Sequence, residues 1–284
     1  MSFLRSAEKI LRLTPMNSVS LPSCYAVAGA ALRREWLSHR LNRFLYAYLA
    51  LVLAAGFLPL LTPDEGLARG AAWWLLHAVL YAVSLSSLLL GLSSAQAEAE
   101  EFVWLTGQPA GIGPWLAGKA LGLVTLAGAS ALLLGLPTAV LGGGSPELLL
   151  VTCGAAGVAS LCALAGLAVG FWVRDSVRGL IAAIALWFLL LFGVDLLLLG
   201  NAGAAWVQHF PDGWVAVLML NPLDAYRVMV LFAVERAAFS GMQAGQLTDW
   251  WIGHAALWLG LSTLAWAGLA WLASWLGARR RLDG

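Results

Sequence analysis

The run LLLVTCGAAGVASLCALAGLAVGFWV, Leu148–Val173, contains no charged side chain. About 20 mostly apolar residues in a helix cross the hydrocarbon core of a bilayer, and this run exceeds that. Five other windows share its character. Phe44–Thr62 is uncharged, and Ala71–Ser94 holds only His77. Trp115–Leu141 holds only Lys119, Gly179–Gly200 only Asp195, and Gly253–Ala278 only His254. Across all 284 residues, 61% are hydrophobic and 11% are charged, where a soluble domain carries roughly 25% charged residues. A water-soluble fold of this length would leave large apolar patches exposed. The reading is an all-α integral membrane protein with six transmembrane helices.

Orientation follows from the placement of Lys and Arg, which concentrate on cytoplasmic loops. With the N-terminus inside, one side receives Arg5, Lys9, Arg12, Arg33, Arg34, Arg40, Arg43, Lys119, Arg174, Arg178, Arg279, Arg280 and Arg281; the other receives only Arg69, Arg227 and Arg236. Both ends are therefore expected in the cytoplasm. Trp73, Trp74, Trp250 and Trp251 mark outer span edges, and Trp115, Trp172 and Trp275 inner ones, because indoles favour the headgroup level. The pairs Gly118/Gly122 and Gly166/Gly170 allow close helix approach. The net charge of +1 gives no sign of a nucleic-acid partner.

Two regions divide the chain. Residues 1–43 form an N-terminal segment, and 44–284 form the six-helix membrane domain with an outer loop at 201–252. The first 43 residues hold no secretory signal pattern, and Met16 offers a second start. Tyr25–Arg43 reads as a basic amphipathic elbow helix on the inner leaflet, with Ala28, Leu32 and Trp36 opposite Arg33, Arg34, Arg40 and Arg43.

The inner loop Ala95–Pro114 carries Glu98, Glu100 and Glu101 where other inner loops are basic, followed by the breakers Gly107, Pro109, Gly111, Gly113 and Pro114. Such an acidic turn suits docking of a soluble partner, or is simply solvated. Gly113–Lys119 fits the spacing GxxxxGK, but position 120 is Ala and no strand precedes it. A phosphate-binding loop needs both a strand before it and a Ser or Thr after the Lys, so this chain is not expected to hydrolyse ATP.

In the outer loop, Trp214–Leu220 and Ala225–Phe239 are short apolar pieces separated by Asn221-Pro222-Leu223-Asp224. They predict a re-entrant or interfacial hairpin between spans five and six, capped by Asn221 or Asp224. Asp224 and Arg227 stand three residues apart and can pair. Asp195 lies 16 residues past Gly179, about 24 Å along a helix, and its expected partner is Arg227 or Arg236.

No HExxH, no GxSxG and no shared metal spacing occur; His39, His77, His209 and His254 lie in separate segments. Cys153 and Cys162 point to opposite faces of one helix, and Cys24 stands apart. Met219, Met229 and Met242 are soft enough to hold Cu(I), but at helical spacing they read better as packing. Neither a metal site nor a catalytic residue is expected.

Six spans, an elbow, an acidic stretch after span two and Gly118-Lys119 opening span three resemble the type-2 ABC transporter permease family. Glu100-Glu101 is followed by Phe102-Val103-Trp104-Leu105, without the Gly-Thr usual there. In the C-terminal half, Leu186-Trp187-Phe188, Asp195-Leu196, Leu220–Arg227 and Arg279–Leu282 resemble the permeases of nitrous-oxide-reductase maturation systems, which serve copper-site assembly in denitrification. The resemblance implies a homodimer in the inner membrane, a cytoplasmic ATPase dimer supplying ATP and magnesium, and a periplasmic accessory protein. It implies ATPase coupling through Glu98, Glu100, Glu101, Pro109, Gly118 and Lys119, and partner contact through Asn221, Pro222, Asp224 and Arg227. Three other readings stand beside it: an ion-gradient-driven transporter, a membrane-embedded enzyme and a structural component without transport.

Reporter fusions at the two termini are expected to give cytoplasmic signals for both. Termini on opposite sides would refute the six-span topology.

Overall fold

The computed structural model describes residues 23–40, 43–61, 67–97, 111–142, 145–201, 203–204, 209, 211–234 and 246–283. Every regular element among them is helical. Five helices are long and apolar enough to cross a membrane: Gly70–Ala97, Ile112–Leu141, Pro146–Trp172, Ser176–Asn201 and Gly253–Arg281, here called spans two to six. A bent pair, the elbow Cys24–Arg40 and the segment Leu45–Leu61 inclined at 82°, meets the same criterion only when taken together, which brings the crossings to as many as six. The charges Arg33, Arg34, Glu35 and Arg40 sit in the elbow, while Leu45–Leu61 carries none. The second member, span one, is thus the part suited to lipid. It is α-helical over Arg43–Phe57 and ends in a 3₁₀ turn, Leu58–Leu61.

Local sequence explains the helix ends. Ser145 caps span four, its hydroxyl accepting from the Leu148 amide at 3.4 Å, with Pro146 in the first turn where a missing N–H costs nothing. Asp175 caps span five by accepting from the Arg178 amide at 2.7 Å. Span three begins at Ile112, behind Gly111 at φ 74°, a conformation that favours glycine. Gly113 and Pro114, read as breakers, instead fall in its first turn, where proline is tolerated.

Spans two, three and four form the core. Half or more of the most apolar 18-residue stretch of each is buried, against 11% in span five and 17% in span six. Glycines set the closest approaches. A Cβ on Gly166 would collide with the Leu88 carbonyl, one on Gly91 with the Ala163 carbonyl, and one on Gly170 with Ala95. Spans two and four therefore touch backbone to backbone, the contact that small-xxx-small spacing permits. Span two is interrupted by a π-helical segment, Ala78–Val83. Just beyond it the Ser84 hydroxyl donates to the Leu80 carbonyl at 2.5 Å and accepts from the Trp187 indole of span five at 2.9 Å.

At the basic end, the final turn of span six is stapled to span four. The Arg281 guanidinium donates to the Phe171 carbonyl at 2.9 Å and to the Gly170 carbonyl, satisfying helix-end acceptors that otherwise lack partners. Trp172 donates to the Ala273 carbonyl at 2.9 Å. Cys153 is exposed and Cys162 buried, as opposite faces require.

Gly166→Leu is expected to wedge spans two and four apart and destabilise the fold by about 1–3 kcal/mol. Thermal unfolding in detergent measures this; a midpoint equal to that of the unmodified chain would refute the close crossing.

Candidate functional sites: an inner latch and a re-entrant hairpin

The elbow carries one acid among its arginines, Glu35, and it is buried. Its neighbours on the same face are Val27 and Ala31, also buried. The elbow follows span three lengthwise. Ala28 lies against Gly118, Glu35 against Gly122, and the Trp36 indole donates to the Thr125 hydroxyl at 3.1 Å. The apolar stripe read from the sequence is present, but its seat is protein: Ala28 and Trp36 meet span three rather than lying only on lipid.

Where the elbow meets spans two and three, three groups converge on the Glu35 carboxylate. Lys119 donates to Oε2 at 2.9 Å, Ser94 to Oε1 at 2.5 Å, and the His39 ring nitrogen lies 3.1 Å from Oε1. Burial by itself would raise the Glu35 pKa. The His39 hydrogen bond, the Lys119 charge and Ser94 outweigh it and bring the carboxyl down to about 2. Both charges are desolvated, with side chains 4% and 2% exposed. A buried charge is tolerated only when paired and hydrogen-bonded.

Two residues read as coupling positions are therefore accounted for locally. Gly118 admits the elbow backbone, and Lys119 is paired with Glu35. The helix Ile112–Leu141 also takes the place that a phosphate-binding loop would need. Glu98, Glu100, Glu101 and Pro109 lie outside the described residues, as do Arg236 and Met242.

At the other end, helices Pro211–Leu220 and Pro222–Val234 meet at Asn221. The turn lies deep. Pro222 lines one groove together with Leu161, Leu190 and Trp266, residues near the middles of spans four, five and six. Of the two geometries expected, the re-entrant one is present. A broken helix at that depth must satisfy its free backbone groups within the protein. The Trp258 indole donates to the Met219 carbonyl at 2.7 Å and the Trp266 indole to the Leu220 carbonyl at 2.8 Å, both from span six. The Leu223 amide donates to Asn221 Oδ1 at 3.2 Å. Asn221 is the cap.

The Asn221 amide nitrogen also donates to the Leu190 carbonyl at 2.5 Å and to Asp224 Oδ2 at 2.6 Å. Arg227 bridges outward. Its Nη1 lies 2.8 Å from Asp195 Oδ2 and 3.1 Å from Asp224 Oδ1. Asp195 thus takes Arg227 as its partner. Asn221, Asp224, Arg227 and Asp195 form one polar chain that ties the hairpin to span five. Tyr226, fully buried, reaches the Val151 carbonyl of span four at 3.4 Å. Met219 and Met229 are buried packing residues, with Met229 against Gly154. Among the described residues no group of three His, Cys, Asp or Glu side chains converges.

Sequence reasoning missed Glu35, Ser94, His39, Trp258 and Trp266. Glu35 left a readable signal: one acid in a basic helix, matched by Lys119, the one cation of span three. The two tryptophans left none, because their role depends on where the hairpin turns.

No family model matches the chain. Over 112 residues it is 36% identical to a probable ABC transporter permease protein, NosY, of Stutzerimonas stutzeri. The match covers 38% of this chain and 38% of that protein.

Removing one partner of a buried ion pair costs about 3–5 kcal/mol. Lys119→Met is expected to fall in that range, and the double variant Glu35→Gln with Lys119→Met to recover a large part of it. Additive losses in thermal or denaturant unfolding would show that the two side chains do not act as a pair.

Proposed function

We propose that the chain is the membrane-spanning permease subunit of an ATP-driven ABC transporter in the inner membrane, with both ends in the cytoplasm. ATP and magnesium are bound by a separate cytoplasmic ATPase dimer. The observation that carries this reading is a continuous packed route between the two ends of the molecule. Glu35 and Lys119 fix the elbow to span three. Gly135 of span three packs on Thr152 of span four. Span four meets Tyr226, and Arg227 fixes the hairpin to span five. Displacement of the elbow on the cytoplasmic side is delivered through rigid contacts to the hairpin on the outer side. The partial likeness to an ABC permease supports the same reading.

The reading includes a second copy of the chain. The Asp195 side chain is 45% exposed on an otherwise apolar stretch with Leu196, Leu197 and Leu199 exposed. An acid within a span is costly to leave in lipid, and a homodimer contact along span five would cover it. The acidic turn Glu98, Glu100 and Glu101, with Pro109, is the docking point for the ATPase. A periplasmic accessory protein would sit on the hairpin side. The resemblance in the C-terminal half points to copper-site maturation of nitrous oxide reductase as the process served, by export or by mechanical action on that partner.

Co-expression with the neighbouring ATPase gene product tests the reading. The two proteins are expected to co-purify in mild detergent with ATPase activity, and Glu100→Lys with Glu101→Lys to lower that activity about fivefold or more, the lower end of ordinary inter-site coupling. Intact co-purification and unchanged activity in that variant would defeat the docking role.

A further inference from the structure

Spans four, five and six enclose an apolar groove of about 350 Å³ beneath the hairpin tip. Its walls include Leu161, Ala165, Leu186 and Ala270; Pro222 closes one end and Trp172 lies at the other. From Trp172 to Leu161 is 11 residues of span four, about 16 Å of helix. That matches about half of the ~30 Å hydrocarbon core, the depth of one leaflet. The groove therefore starts at the basic end of the molecule and stops where the leaflet stops.

Its mouth is cationic. Arg280 lies over the Trp172 ring at 5.5 Å, and Arg279 over Trp275 at 3.7 Å. Arg174 stands just beyond the groove residue Val173 and is close enough to Arg281 to repel it. Asp175 is the acid of this turn, and it is used as the cap of span five. Among the described residues no carboxylate pairs with Arg174, Arg279 or Arg280. An apolar slot one leaflet deep with guanidinium groups at its headgroup end is complementary in shape and charge to an anionic phospholipid.

We propose that this groove binds an anionic phospholipid of the cytoplasmic leaflet, one acyl chain reaching Pro222 and the phosphate held by Arg174 and Arg280. The leaflet follows from the orientation proposed above, but the binding itself needs no ATPase. The chain end would then touch the turn of the re-entrant hairpin, so that lipid and hairpin share one wall.

The test uses the full chain purified in mild detergent, incubated with dipalmitoyl phosphatidylglycerol or dipalmitoyl phosphatidylcholine. Retained lipid is read from the mass of the intact complex. Phosphatidylglycerol is expected to be retained about thirtyfold better, since both guanidinium groups favour its net negative charge. Arg174→Ala with Arg280→Ala should abolish that preference. Ala165→Phe, which fills the slot, should lower retention of both lipids about tenfold. Ala270→Phe fills it from the opposite wall if the first variant fails to fold, and an unchanged thermal midpoint identifies a folded variant. Equal retention of the two lipids by the unmodified chain would overturn the proposal. So would a filled variant that keeps its lipid but loses self-association, because the groove would then receive a second copy of the chain.

Discussion

A backbone that breaks inside hydrocarbon has no water to turn to, and the Asn221 turn is such a break. Its free carbonyls at Met219 and Leu220 are met by the Trp258 and Trp266 indoles, and its Leu223 amide by the Asn221 side chain. Each unsatisfied group at this depth would cost several kcal/mol. The position of span six beside the hairpin is therefore a requirement of the turn. The turn in turn places Pro222 at mid-depth, Tyr226 on span four and Arg227 on span five. The outer half of the molecule is arranged around one interruption and the donors that close it.

The same economy governs charge at the basic end. Glu35 and Lys119 would each be intolerable alone in their surroundings, and together with Ser94 and His39 they neutralise one another. The pair lies where the elbow, span two and span three converge, which gives the elbow a fixed register along span three from Gly118 to Thr125. A pair this buried is screened much less than an exposed one, so its hold on the elbow depends only weakly on ionic strength. Polar contacts at the two ends thus do different work. The inner one locks a helix from the aqueous side onto a span, and the outer one locks an interrupted helix to its neighbours.

The spans were legible because their signal is compositional and long: Leu148–Val173 needs no neighbour to be read. The Asp195–Arg227 pair was legible because isolated charges in apolar segments have few partners to choose from. The hairpin was legible in existence but not in depth. Pieces of ten residues such as Pro211–Leu220 are too short to span and equally suited to an interface or an interior. The elbow was legible as a helix but its packing on span three was not, because a helical stripe shows that a face is covered but not by what. Glu35 fell within a helix classified by its arginines, and the donor tryptophans of span six looked like any aromatic residues of a membrane helix. What sequence periodicity cannot supply is the pairing between segments far apart in the chain, and every missed residue except His39, which meets Glu35 one turn away on the same helix, belongs to that kind.

The π-helical segment Ala78–Val83 changes the phase of span two. It inserts one extra residue into the helical count, so everything before it is turned by about 100° relative to an uninterrupted α-helix. That offset lets one helix address two different sets of neighbours. On its far side Gly91 meets span four and Ser84 meets Trp187. On its near side the Trp74 indole reaches the Ala55 carbonyl of span one at 3.1 Å. Span two acts as a crankshaft whose two throws are set by a single inserted residue. A one-residue deletion there would misalign the half facing span one while leaving the crossing with span four in phase.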